Sequence, residues 1–295
     1  MAIGDVYARI VRSDGQEMTL GSGDWRIPKD GLENWANLAY SVSSVEIPSH
    51  DGALVTSKRV AATDRTIKAV VGNSRDNEAL RARAIRFFNP KHSFKVYMTY
   101  MGRTRWCSGE QIGFRASEGN IYEPVEVEWT ILCPNPYLLS VNDFGKDIAE
   151  VMPSFGFPFM SFLPESTAHV NRGFIVGTRL FSKQVDILND GDVPSGMRTT
   201  ITATGDVVNP LLRIGSGAVR LITTMVKGDV IALDASGRPP KITFNGANAM
   251  NLLDRNSSIL DMMIDPGIAT VEFDADDGYQ NMSVVIRYNK QYLGV

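Results

Sequence analysis

The chain has 295 residues, more than one ordinary domain needs, and its 43% hydrophobic and 21% charged content is that of a soluble globular protein of about two domains. A formal net charge of −3 excludes the basic footprint that general nucleic-acid binding requires. The two cysteines, Cys107 and Cys133, lack Cys-x-x-Cys spacing; neither a disulfide scaffold nor a zinc site is expected, and both are read as small core residues.

The first five residues lack the charged start and apolar core of a secretory signal. The most apolar segment, Val151 to Leu163, is interrupted by Pro153, Gly156 and Pro158, and is too short to span a bilayer. The expectation is a protein made in a cytoplasm and soluble there.

In chain order, residues 1 to 48 hold short strands between turn signals: Val6 to Val11, Asp14-Gly15, then Met18 to Leu20. Ser57 to Val71 reads as a strand-pair region, with Arg65, Ile67, Ala69 and Val71 alternating against Thr66, Lys68 and Val70. A helix follows over 74 to 88, with Asn73 or Ser74 able to cap it and Leu80, Ala84, Ile85 and Phe88 forming an apolar stripe. Arg75, Arg81, Arg83 and Arg86 cover its other faces. They suit either phosphate or a solvated or subunit-facing surface, and no nucleic-acid module accompanies them.

A hairpin runs from Phe94 to Tyr100 and back from Arg103 to Glu110, with Met101-Gly102 at or near its tip. Val125 to Cys133 is the cleanest period-two run, with Val125, Val127, Trp129 and Ile131 on one face; Pro134-Asn135-Pro136 stops it. Residues 138 to 180 form a connector rich in Phe, Pro and Gly, suited either to line a ligand groove or to pack a domain seam.

From Val185 onward short strands and turns alternate closely: Asn189-Asp190-Gly191-Asp192, the Thr-rich run Met197 to Thr204, Val230 to Asp234, then Lys241 to Phe244 ending at Asn245-Gly246. Leu252 to Met263 reads as a short helix or turn, and Ala269 to Asp274 joins Met282 to Tyr288 through Asp276-Asp277-Gly278. This rhythm indicates a β-sandwich or jelly roll.

No catalytic signature is present. His50, His92 and His169 are scattered, and no metalloprotease, nucleophile-elbow, Walker or dinucleotide motif occurs. The Asp274–Gly278 cluster has its glycine one place early for an EF-hand, with Val285 at the twelfth position, so a hairpin turn is expected.

Laid end to end, these pieces resemble the siphophage distal tail protein (Dit) family of tail-tip hub proteins. The likeness rests on Arg65-Thr66-Ile67, the 74 to 88 helix, Tyr100-Met101-Gly102-Arg103 and the exit Trp129 to Tyr137. In the second half it rests on Asn189 to Asp192 with Pro194, Asn209-Pro210, Lys227 to Asp234 and Asp265-Pro266-Gly267. Each piece alone is only a turn; the series carries the specificity.

The resemblance implies a mainly β chain of two β-sandwich domains. The first, 1–137, would carry the helix and hairpin; a connector, 138–180, and a galectin-like sandwich, 181–295, would follow. It implies a non-enzymatic virion protein of the phage tail tip, assembled in the host cytoplasm. Its partners would be further copies in a hexameric ring, the tail tube protein, and a tail-associated hub or fibre protein, with no cofactor, metal, membrane or sequence-specific nucleic acid. Arg81, Arg86, Tyr100, Met101, Gly102 and Arg103 are the expected subunit-interface residues. The competing reading is a glycan-binding sandwich, against which all four Trp lie in the first half.

Overall fold

A computed structural model describes residues 6–47, 51–71, 76–118, 124–142, 144–147, 149–153, 177–181, 184–237 and 239–295. The chain is mainly β and divides into two compact units, Met1–Asn142 with Asn289–Val295, and Asp143–Tyr288. The expected helix caps Asn73 and Ser74, and the aromatic run 155–162 of the connector, lie outside the described residues.

The first unit contains β1 (Tyr7–Arg12), β2 (Glu17–Leu20), β3 (Trp25–Arg26), β4 (Leu32–Glu33), β5 (Tyr40–Glu46), β6 (Ala53–Val60), β7 (Thr63–Val71), α1 (Asn77–Phe87), β8 (Ser93–Tyr100), β9 (Arg103–Ala116), β10 (Glu126–Cys133) and β11 (Leu138–Ser140). One antiparallel sheet runs β2-β1-β8-β9-β10-β7-β3, with β4 also on β7 and β11 on β9. Period-two burial is strict in β10 and broken in β7 only by the buried Thr66: Arg65, Ile67, Ala69 and Val71 point inward, as do Val127, Trp129, Ile131 and Cys133. Strands from both ends of the sheet therefore feed one core, because alternate side chains share a face. The last residues close this unit: Gln291–Tyr292 pairs with β11, and the Arg105 guanidinium lies 3.7 Å over the Tyr292 ring.

The Ser57 to Val71 region is not a strand pair. β6 pairs with β5, and β7 pairs with β10, so two sheets divide that stretch. The helix stripe also shifts. Ala84, Phe87 and Phe88 are buried, whereas Ile85 is 44% exposed. At about 100° per residue, position i+5 falls about 140° around the helix from Leu80, while i+7 returns to within about 20°.

Arg12 closes the C-terminal end of α1. Its buried Nη1 donates to the Arg86 and Phe87 carbonyls at 3.0 Å, and Asp14 accepts from Nε at 2.9 Å and Nη2 at 2.5 Å. The hydrogen bond from Arg12 holds the Asp14 carboxyl far below the usual carboxylate range. A depressed folded pKa contributes stability above the unfolded value, near ~3.9, and loses it as pH falls through the folded one. The melting temperature of the wild type should therefore exceed that of Asp14→Asn at pH 6, and the gap should shrink toward pH 2. A gap independent of pH would contradict this pairing.

The second unit contains β12 (Phe144–Asp147), β13 (Ala149–Pro153), β14 (Gly177–Phe181), β15 (Gln184–Asn189), β16 (Ser195–Ala203), β17 (Val207–Val208), β18 (Leu211–Ile214), β19 (Gly217–Arg220), β20 (Thr224–Met225), β21 (Val230–Asp234), β22 (Lys241–Phe244), β23 (Ala247–Asn248), β24 (Met263–Ile264), β25 (Gly267–Asp274) and β26 (Met282–Tyr288). One sheet runs β12-β26-β16-β21-β22-β23 with β24 on β16; a second runs β15-β25-β18-β19. Ile201, Ile231, Val284 and Ile286 of the first meet Leu212, Ile214, Val271 and Phe273 of the second in one sandwich core. Short 3₁₀ turns occupy Ile259–Asp261, within the Leu252 to Met263 region expected to hold a helix or turn, and Met250–Leu252, which ends where that region begins.

The Asp276–Gly278 connection is not a hairpin turn. β25 belongs to one sheet and β26 to the other, so this loop crosses the sandwich. Asp276 anchors the crossing by accepting from Arg220 and, at 2.8 Å, from Asn209. Gly278 takes φ 73° where an added Cβ would meet the Asp206 carbonyl, which leaves no room for another residue.

Candidate assembly surfaces

The β8–β9 hairpin pairs Tyr100 with Arg103, leaving Met101-Gly102 as a two-residue loop. Their φ values of 48° and 78° match a type I′ turn, whose twist suits an antiparallel ribbon. Thr99 and Thr104 share a 2.7 Å hydroxyl hydrogen bond beneath it. Met101 is 68% exposed, and Arg103 is exposed beside it. A methionine in the left-handed region costs ~1 kcal/mol that Asn or Gly would avoid. Met101→Asn should thus raise stability by roughly 0.5–1 kcal/mol in a urea titration. An unchanged midpoint would mean that the turn is not strained.

The helix residues sit elsewhere. Arg81 is half-buried, and its Nε donates to the Ser117 carbonyl at 3.1 Å, tying α1 to the strand end. Arg83 and Arg86 are exposed. Because α1 leads into β8 at Ser93 and the turn leaves it at Tyr100, the two groups lie at opposite ends of that strand, about 23 Å apart along it. Arg81, Arg86 and Tyr100 to Arg103 therefore form two surfaces.

A buried cluster lies within the first unit. Arg65 is fully buried; its Nη2 donates to the Pro136 carbonyl at 2.6 Å, and its guanidinium carbon lies 5.6 Å from the Trp35 ring centre. Among the described residues, Nε and Nη1 have no hydrogen-bond partner. Cys107 and Cys133, both free and buried, stand beside it. Gly109 packs against the same strand: an added Cβ would meet the Leu132 carbonyl oxygen at 2.6 Å and Cys133 Sγ at 3.3 Å. The hydrogen bond with Cys107, then the Arg65 charge, draws Cys133 down to about 7, while that same bond and burial push Cys107 up. The sequence placed both cysteines in the core and Arg65 on the face of Ile67, Ala69 and Val71, but not the sulfurs beside the guanidinium.

Sequence reading covered only the end of β6, from Ser57, and missed the ribbon of β5 and β6, which among the described residues pair only with each other. Tyr40, Val42, Val45, Leu54 and Val55 are all exposed there. The usual signal, a buried face alternating with a wet one, is absent because neither face of this ribbon is covered.

In the second unit a groove of about 760 Å³ is lined by Arg213, Asp261, Asp265, Ile268, Thr270 and Glu272 among others, with no aromatic ring. Glu272 accepts from Gln184 at 2.5 Å. Among the described residues, no group of three His, Cys, Asp or Glu could hold a metal ion, and no helix is long and apolar enough to cross a membrane. Asp14, Asp276 and Glu272 each hold a neighbouring donor.

Residues 190–292 match the family model of the siphovirus-type tail component, C-terminal domain, SPP1 Dit. The chain is similar in structure to the Dit protein (gp 19.1) of phage SPP1, described as a paradigm of hub adsorption apparatus in Gram-positive infecting phages. That likeness has a TM-score of 0.65 at 10% identity and covers 96% of this chain and 98% of the other. It is also similar to chains of the phage P2 baseplate in its activated conformation, with Ca (TM-score 0.53) and with Sr (0.54), each at 12% identity over 98% of this chain and 99% of that one. No curated protein matches by sequence. Residues 190–292, most of the second unit with the start of the returning segment, thus match the C-terminal domain of the siphovirus-type tail components, and the chain as a whole carries the fold of the SPP1 Dit protein.

Proposed function

We propose that this chain is a distal tail hub: six copies close a ring that joins the tail tube to the tail-associated fibre or baseplate proteins, and the genome passes through its channel. The observation that supports this most is the likeness to a hub protein along nearly the whole of both chains, joined to the family match in the second unit. The first unit, residues 1–142 with 289–295, builds the ring. A net charge of −3 per copy fits a passage that must release DNA instead of holding it.

Two contact surfaces belong to this reading. The Arg83 and Arg86 face of α1 meets a neighbouring copy or the tube, and the Tyr100–Arg103 turn helps close the ring. Arg81 contributes through its tie to Ser117, which fixes the helix. Mixing the purified chain with tail tube protein of the same phage tests the reading. Rings seated on tube ends in electron micrographs are expected; a chain that attaches to neither tube nor baseplate proteins overturns it.

A further inference from the structure

Asn245-Gly246 is the one Asn-Gly pair in the sequence, and it forms the exposed two-residue loop between β22 and β23. A glycine carries no side chain to shield its backbone nitrogen, so that nitrogen can approach the side-chain carbonyl carbon of the asparagine before it. In the folded chain the Asn245 side chain is instead drawn to the start of β21. Its Oδ1 accepts from the Val230 N–H at 2.8 Å and its Nδ2 donates to Asp229 Oδ1 at 2.9 Å, while its own N–H donates to the Val230 carbonyl at 2.8 Å. Asp229 is fixed in turn, because its Oδ2 accepts from the Val226 N–H at 2.8 Å. The bond from Asn245, then the one from Val226, holds the Asp229 carboxyl below its ordinary value. The lock sits at a weak place. β23 is two exposed residues at the edge of its sheet, paired among the described residues with β22 alone, and such edges open locally at small cost.

We propose that Asn245 is a self-modification site gated by Asp229: locked while this end of the sheet is closed, and converted to aspartate or isoaspartate when it opens. Once the bonds to Asp229 and Val230 part, the Gly246 nitrogen gives its proton to solvent and bonds to the Asn245 side-chain carbon. The bond from that carbon to the amide nitrogen breaks, ammonia leaves, and a cyclic imide joins the two residues. Water then opens the imide at either carbonyl. Breaking the bond to the side-chain carbonyl gives aspartate. Breaking the bond to the main-chain carbonyl gives isoaspartate, which carries an extra methylene in the backbone. Aspartate can still accept from Val230, but it has no hydrogen for Asp229 and sets a second negative charge against it where the 2.9 Å bond stood. Isoaspartate also shifts the register of the turn. The conversion runs one way and loosens the β21–β22 end of the second unit, so the turn keeps a chemical record of how often that unit has opened. This inference does not depend on the ring.

The test uses the full chain, incubated at mildly alkaline pH and followed by peptide mapping for the amide-to-acid mass gain at Asn245. Folded wild type should convert at least about tenfold more slowly than the guanidinium-unfolded chain, because only opened molecules react. Asp229→Ala, shown to be folded by an unchanged far-ultraviolet spectrum, should convert at least about threefold faster than wild type, having lost the bond that holds the amide. Asp229→Asn keeps a carbonyl oxygen for the Asn245 amide and should be slower than Asp229→Ala. Asn245→Asp builds one product directly and needs no change at Asp229. Its β21 and β22 amides should exchange with deuterium at least about threefold faster than those of wild type. Equal conversion in folded and unfolded wild type would overturn the proposal. So would a wild-type rate in folded Asp229→Ala, an Asp229→Asn no slower than Asp229→Ala, or unaltered exchange in Asn245→Asp.

Discussion

Trp129→Ala is expected to remove about 3–5 kcal/mol from the first unit, the usual range for deleting a fully buried aromatic. Trp129 has no exposed surface, and its ring lies 4.8 Å from Phe88 and 5.2 Å from Phe94. Its Nε1 donates to Gln111 Oε1 at 3.1 Å, and Gln111 in turn donates to the Phe88 carbonyl at the end of α1. The substitution thus opens a cavity under the helix and frees the group that ties the helix down. Trp129→Phe keeps the ring contacts and should lose less than half as much. The readout is unusually local. All four tryptophans, Trp25, Trp35, Trp106 and Trp129, belong to the first unit, so their fluorescence in urea follows that unit alone. A loss below ~1 kcal/mol would mean that the aromatic cluster is not where the first unit keeps its stability.

The second large effect concerns Arg65. Stripping it of both neighbouring sulfurs with Cys107→Ala/Cys133→Ala leaves a buried guanidinium whose only hydrogen bond goes to the Pro136 carbonyl. Removing the partner of a buried charge costs about 3–5 kcal/mol, a loss to be read at pH 8, where Cys133 is mostly ionised. Arg65→Met should cost less, about 1–3 kcal/mol, because the thiols then simply remain neutral and only the carbonyl loses a donor. The order of the two losses is the test: a costlier Arg65→Met would show that the sulfurs do not balance the charge. The pH dependence follows from Cys133. Its folded value near 7 lies below the ordinary thiol value of ~8.5, so its contribution to stability is absent below pH 7, grows between the two, and is full above them. Cys107, pushed up, works the other way above ~8.5. Relative to Cys107→Ala and Arg65→Met, the wild type should gain stability from pH 6 to pH 8; equal slopes in all three would contradict the pairing.

How much of this was legible depends on whether a residue's environment is local. The alternation of Val127, Trp129 and Ile131 announces a half-buried strand because burial repeats with the backbone period, and the structure has that strand. Met101-Gly102 and Asn245-Gly246 announce tight turns, and each occupies a two-residue loop with positive φ. What failed depended on partners distant in the chain. Nothing near Asp276 says that its flanking strands join different sheets, since that is decided by Arg220 and Asn209. Nothing near Tyr292 says that the chain returns to pair with Leu138. The β5–β6 arm was illegible for the opposite reason: without a core of its own, it lacks the pattern a core imposes. Of the expected interface residues, Met101 and Arg103 are exposed, whereas Arg81 is engaged within its own unit, which only the position of Ser117 reveals.

The central claim is that this chain assembles into a closed ring. Native mass spectrometry of the purified protein, with negative-stain images of the same sample, tests it most directly. The account predicts a single species of six chain masses that appears as rings with an open centre. A species of one or two chains at every concentration, with no central hole in any particle, would contradict it.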